Sequence, residues 1–82
     1  MAKKSNVVYE SEGSHKLLED ADGGLTLEVL VGTSALYAVR MQLNVEEASK
    51  YKQGGSSFID KLAGEVARNE PRYREQGRTR PV

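Results

Sequence analysis

Through residues 25–43 apolar positions recur every second residue, with one break at Gly32-Thr33-Ser34. Leu25, Leu27, Val29 and Val31 alternate with Thr26, Glu28 and Leu30, and Ala35, Tyr37, Val39, Met41 and Leu43 alternate with Leu36, Ala38, Arg40 and Gln42. Side chains on a strand point to opposite faces in turn, so each half of this stretch predicts a strand with one near-continuous apolar face. A three-residue loop pairs Val31 with Ala35, Val29 with Tyr37 and Leu27 with Val39, which brings the odd-numbered apolar residues to one side. The second face then shows Thr26, Glu28, Leu30, Leu36 and Ala38, with Leu30 facing Leu36 and Ala38 facing Glu28.

Upstream, residues 6–12 are β-prone through Val7, Val8 and Tyr9, and Gly13-Ser14 ends them. Residues 15–20 are short, and adjacent Leu17 and Leu18 do not choose a face. The turn signal Ala21-Asp22-Gly23-Gly24 decides their type, predicting antiparallel pairing with residues 25–31.

After Leu43 the period lengthens. Asn44 can cap a helix, and Glu47 three residues on completes a capping box. This first helix runs to about Gln53, where Gly54-Gly55 stops it. Ser56 or Ser57 is the expected cap of a second helix, with Asp60 in its first turn favoured by the macrodipole. Ile59, Leu62, Ala63, Val66 and Ala67 form its apolar stripe, opposite Lys61, Glu65 and Arg68. Pro71 ends that helix near Asn69. Residues 71–82, with Tyr73 as their one aromatic, read as a basic flexible tail, and residues 1–5 as a disordered N-terminus. The fold class is therefore α+β: an antiparallel meander of three to four strands, then two C-terminal helices packed on one face, in a single two-layer domain over residues 6–70.

At 82 residues the chain has room for one modest core, and without cysteine neither a disulfide nor a thiolate zinc site supplements it. No apolar run is long enough for a membrane span, and no apolar segment follows the N-terminal charges, so a cytoplasmic protein with no membrane partner is expected. Twelve basic and twelve acidic residues cancel, but unevenly. Residues 68–82 hold five arginines against two glutamates, whereas residues 5–67 hold five basic and ten acidic side chains. An acidic body with basic ends suits a nucleic-acid tail or packing between copies.

Candidate chemistry is sparse. Asp20-Ala21-Asp22-Gly23 resembles the start of a calcium loop, but the twelfth position is Val31 rather than glutamate, so it reads as a turn. His15 is the only histidine, and none of the serines sits in a nucleophile-elbow context. A lone histidine on a short strand reads as a solvated or hydrogen-bonded surface residue, and no catalytic, cofactor or metal residue is assigned. Gly54, Gly55, Ser56 and Ser57 form a candidate anion site, with glycines and free N–H groups ahead of a helix but no Walker-type lysine. Arg68, Arg72, Tyr73, Arg74, Arg78 and Arg80 are candidate nucleic-acid contacts through phosphate neutralisation and base stacking, with Glu70 and Glu75 interleaved among them. Leu30, Leu36 and Ala38 are a candidate interaction patch. The expected function is a small non-enzymatic protein-interaction module, binding another protein or a second copy of itself. Two routes to a homodimer are open, the Leu30–Leu36 face and edge pairing through Val7, Val8 and Tyr9. The alternative is a small nucleic-acid-binding protein that uses the arginine-rich C-terminus.

Overall fold

The computed structural model describes residues 6–12, 14–21, 23–32 and 37–81, the Pro81 side chain excepted. The expectations for residues 1–5, for Thr33 and Ser34, and for Leu36 lie outside these described residues. Five strands, β1 (Asn6–Ser11), β2 (His15–Glu19), β3 (Leu25–Val31), β4 (Tyr37–Gln42) and β5 (Thr79–Pro81), form one antiparallel sheet in chain order. Two helices, α1 (Val45–Gly54) and α2 (Ser56–Glu75), lie between β4 and β5 in the chain. This is the α+β meander that the alternation predicts, with one more strand than expected.

The odd-numbered face is the core. Leu17, Leu25, Leu27, Val29, Val31, Val39, Met41 and Leu43 from the sheet meet Ile59, Leu62, Ala63 and Val66 from α2, all buried. The adjacent leucines divide between faces: Leu17 joins this cluster, while Leu18 pairs with Thr26 on the other face. The β3–β4 register differs from the three-residue loop by two positions, since Val31 pairs with Tyr37, Val29 with Val39 and Leu27 with Met41. Five residues, 32–36, therefore separate the strands. A shift of two leaves every side chain on its predicted face, so the hydrophobic pattern could not detect it. It does change the neighbours on the second face, where Leu30 stands opposite Ala38 and Glu28 opposite Arg40.

Asn44 caps α1 as expected. Its side chain accepts from the Glu47 N–H at 2.8 Å, and the Glu47 carboxylate accepts from the Asn44 N–H at 3.0 Å. Neither Ser56 nor Ser57 caps α2: Gly55 alone separates the helices, at φ 67° and ψ −148°, and no side chain caps the second one. The helix does break at Asn69 (φ −120°, ψ 26°), where the proline was expected to act, and the Asn69 side chain bonds back to the Glu65 carbonyl at 3.1 Å. It then resumes through Pro71, whose missing N–H costs little at the start of a renewed helical turn.

The flexible tail expected over residues 71–82 is instead a second lock on the core. Arg78 N–H bonds the Tyr73 carbonyl at 2.9 Å, and Gly77 N–H bonds that of Arg74 at 2.9 Å, with Gly77 at φ 73°. This is a Schellman closure, which needs glycine for the positive φ and turns the chain back toward the sheet. β5 then pairs with β4, burying Thr79 opposite Met41.

Candidate functional site

The sheet order leaves β1 and β5 as its edges, and the two differ. β5 is three residues long and carries Pro81, both devices that blunt an edge against further pairing. β1 is six residues long, with Val7 50 % and Val8 42 % exposed. Its pairing with β2 contains a bulge at Val8: Val7 pairs with Leu18 and Tyr9 with Leu17. The bulge takes Val8 out of the alternation and into the wall of a groove of about 300 Å³ between the sheet end and α1. Leu25, Leu43, Ala48 and Tyr51 line that groove, Glu19 and Lys52 contribute charges, and Val45, 88 % exposed, stands at its margin. Val7, Val8 and Val45, three of the exposed large apolar side chains among the described residues, thus lie along this edge and groove.

A polar knot holds this edge in place. The Tyr9 hydroxyl donates to Asp60 Oδ1 at 2.6 Å, and His15 Nε2 lies 2.8 Å from the same oxygen. Ser14 Oγ lies 2.8 Å from His15 Nδ1. The knot therefore ties β1, the β1–β2 turn and β2 to one side chain of α2. Hydrogen bonds from Tyr9 first, and from His15 second, hold the Asp60 carboxyl below the usual carboxylate range, while the Asp60 bond pushes the Tyr9 hydroxyl up. With Asp60 ionised, both groups donate to it; in the neutral form of His15 the proton then sits on Nε2, which leaves Nδ1 to accept from the Ser14 hydroxyl. His15 is hydrogen-bonded, as one of the two readings of its sequence context has it, but with its side chain only 7 % exposed it is not solvated. Asp60, expected to serve the helix dipole, lies beyond the first turn and serves the knot instead. The sequence carried no signal for this meeting, since Tyr9 and Asp60 are 51 residues apart.

The C-terminal arginines fall into two groups. Arg78 forms a fork on Glu47, with Nη2 to Oε1 at 2.6 Å and Nη1 to Oε2 at 3.1 Å, and also reaches the Gln42 carbonyl at 3.2 Å. Its guanidinium stands 5.9 Å from the centre of the Tyr73 ring. Arg74 holds the buried Glu70 carboxylate through Nε at 2.9 Å and donates to the Tyr37 hydroxyl at 2.9 Å. These two are held by carboxylates of their own chain. Arg68 and Arg72 are exposed on α2, and Arg80 is exposed on the outer sheet face opposite Arg40, which itself bonds Glu28 at 2.8 Å. The six candidate nucleic-acid residues therefore lie on different surfaces and do not converge on one groove.

Of the candidate patch, Leu30 is 38 % exposed beside partly buried Ala38. Gly54, Gly55, Ser56 and Ser57 lie at the junction of the two helices, Gly54 ending α1 and both serines opening α2. No group of three or more His, Cys, Asp or Glu side chains among the described residues could hold a metal ion, and no helix among them is long and apolar enough to cross a membrane. Comparison of the chain with family models, with curated proteins and with solved structures finds no match.

Proposed function

We propose that the protein is a protein-interaction module that self-associates by pairing β1 with the β1 of a second copy. The asymmetry of the two sheet edges carries this reading: one edge is short and ends in proline, whereas the other has six residues, exposes Val7 and Val8 and is pinned to the helix layer. A pre-ordered strand loses less conformational freedom on pairing, and the Tyr9–Asp60–His15 knot supplies that order. The register follows from the faces. Pairing Val7 with the partner's Glu10, Val8 with the partner's Tyr9 and Asn6 with the partner's Ser11 uses all six residues and matches outer with outer and inner with inner side chains. Because the Val8 bulge fits residues 7–10 into two ladder steps, the two Glu10 residues then stand about 8 Å apart, from about 3.3 Å per step along the strand and about 4.8 Å across. That is close to the roughly 8 Å screening length at physiological salt, so pairing should strengthen as salt is added.

Sedimentation equilibrium tests the proposal. The wild type should be a dimer at high micromolar concentration, and Val7→Lys with Val8→Lys should be a monomer with unchanged far-ultraviolet circular dichroism. A monomeric wild type overturns the reading, as does a lysine variant that folds and still dimerises.

A further inference from the structure

The Ser14–His15–Asp60 chain has an arrangement that a clamp between β1–β2 and α2 does not require. A clamp is complete once Tyr9 and His15 donate to Asp60. In the neutral imidazole the same donation leaves His15 Nδ1 as an acceptor, and Ser14 Oγ lies 2.8 Å from it. A hydroxyl that donates to a neutral imidazole, itself oriented by an ionised carboxylate, is the arrangement that activates serine toward acyl carbon. Ser14 and His15 also line an open cleft of about 140 Å³, whose wall adds Ser11, Leu30, Glu10 and the Lys16–Glu28 ion pair at 3.5 Å. A space of about 150 Å³ holds a molecule the size of benzene, so the cleft has room for a short acyl group.

We propose that Ser14 is an activated nucleophile that accepts short acyl groups from activated esters. Ser14 Oγ attacks the ester carbonyl carbon while its proton passes to His15 Nδ1, forming an imidazolium that Asp60 stabilises through Nε2–H. The bond from the carbonyl carbon to the leaving oxygen then breaks. The departing alcohol takes the proton from His15, leaving an acyl ester on Ser14 and a neutral histidine. His15 is the base; Asp60 and Tyr9 are positioning residues. The serine and histidine come from neighbouring positions in the chain, but Asp60 comes from α2, so the arrangement exists only in the folded protein.

The test is acylation of the full chain by p-nitrophenyl acetate, read by p-nitrophenol release and by peptide mapping, with a fluorophosphonate probe in parallel. One adduct at Ser14 is expected, with Ser11, Ser49, Ser56 and Ser57 unlabelled in the same sample. Ser14→Ala should abolish it, and His15→Asn should slow it by about 100-fold or more, the usual worth of a positioned base. Far-ultraviolet circular dichroism unchanged from wild type in Ser14→Ala and His15→Asn separates loss of chemistry from loss of fold. Asp60→Asn frees the tautomer, so it should both slow acylation and change its pH profile, an effect that a purely structural role would not produce. Absence of a Ser14 adduct in the folded wild type overturns the proposal. So does equal labelling of the other serines, or labelling at the wild-type rate in His15→Asn.

Discussion

Replacing Arg78 with alanine should destabilise the domain by about 2–3 kcal/mol, far more than an ordinary surface arginine. The Arg78–Glu47 fork joins the C-terminal turn to the start of α1, with side chains only 26 % and 15 % exposed. Charge-assisted hydrogen bonds are worth about 1.5–3 kcal/mol when a partner is removed, because the remaining charge stays desolvated. Here Glu47 would keep only the Asn44 N–H of the capping box, and the Gln42 carbonyl would also lose its donor. For a domain of this size such a loss corresponds to a fall in Tm of about 10–20 °C. Urea unfolding monitored by circular dichroism should show a lower midpoint with an unchanged slope. The pH dependence gives a second check. Burial alone pushes the Glu47 carboxyl up, but the Arg78 guanidinium and the Asn44 N–H outweigh it and hold the group below the usual range. A lowered folded-state value contributes stability above the ordinary carboxylate range and loses it as pH falls through the folded value. In Arg78→Ala the burial effect is opposed only by the Asn44 N–H and the Lys50 ammonium, so the gap between wild type and variant should narrow from pH 7 toward pH 3. A variant within about 0.5 kcal/mol of wild type, or a gap that is flat with pH, would refute the C-terminal lock.

Two further substitutions test the packing. Leu62→Ala removes a buried α2 side chain from the centre of the sheet and should lose about 2–4 kcal/mol, enough to populate the unfolded state at 25 °C in a domain this small; a loss under 1 kcal/mol would show that α2 does not seal the core. Thr79→Val should be neutral or raise stability by about 1 kcal/mol, because the buried Thr79 hydroxyl has no hydrogen-bond partner among the described residues; a loss beyond about 1 kcal/mol in a thermal melt would show that the hydroxyl is in fact bonded.

The strands and their inward faces were legible because alternation is a local signal that survives any error in the turn. The β3–β4 pairing shows the limit: moving Val39 from opposite Leu27 to opposite Val29 alters no face, so only turn chemistry could have fixed it. The capping box at Asn44 and Glu47 was equally readable, since cap and partner are three residues apart. The C-terminal lock was missed because Pro71 was read as a stop, when a break at Asn69 lets the helix restart. A signal was present in Gly77, which follows a helix-compatible run and is the residue a Schellman closure uses. β5, by contrast, has no pattern of its own: Thr79-Arg80-Pro81 becomes a strand only because the lock delivers it to β4. The polar knot was illegible for the same reason. Tyr9, His15 and Asp60 share no motif, and the register of β1 with β2 and the packing of α2 bring them together.

The claim on which the functional account rests is that β1 is a pairing edge with a defined partner register. A mixed sample of isotopically labelled and unlabelled chains at high micromolar concentration, read by isotope-filtered NOE spectroscopy, tests it directly. Contacts between chains should link Val8 of one copy to the Tyr9 ring of the other, and Val7 to Glu10, with none involving β5. Cross-chain contacts confined to Leu30 and Ala38, or the absence of any between β1 strands in a sample that sediments as a dimer, would contradict it.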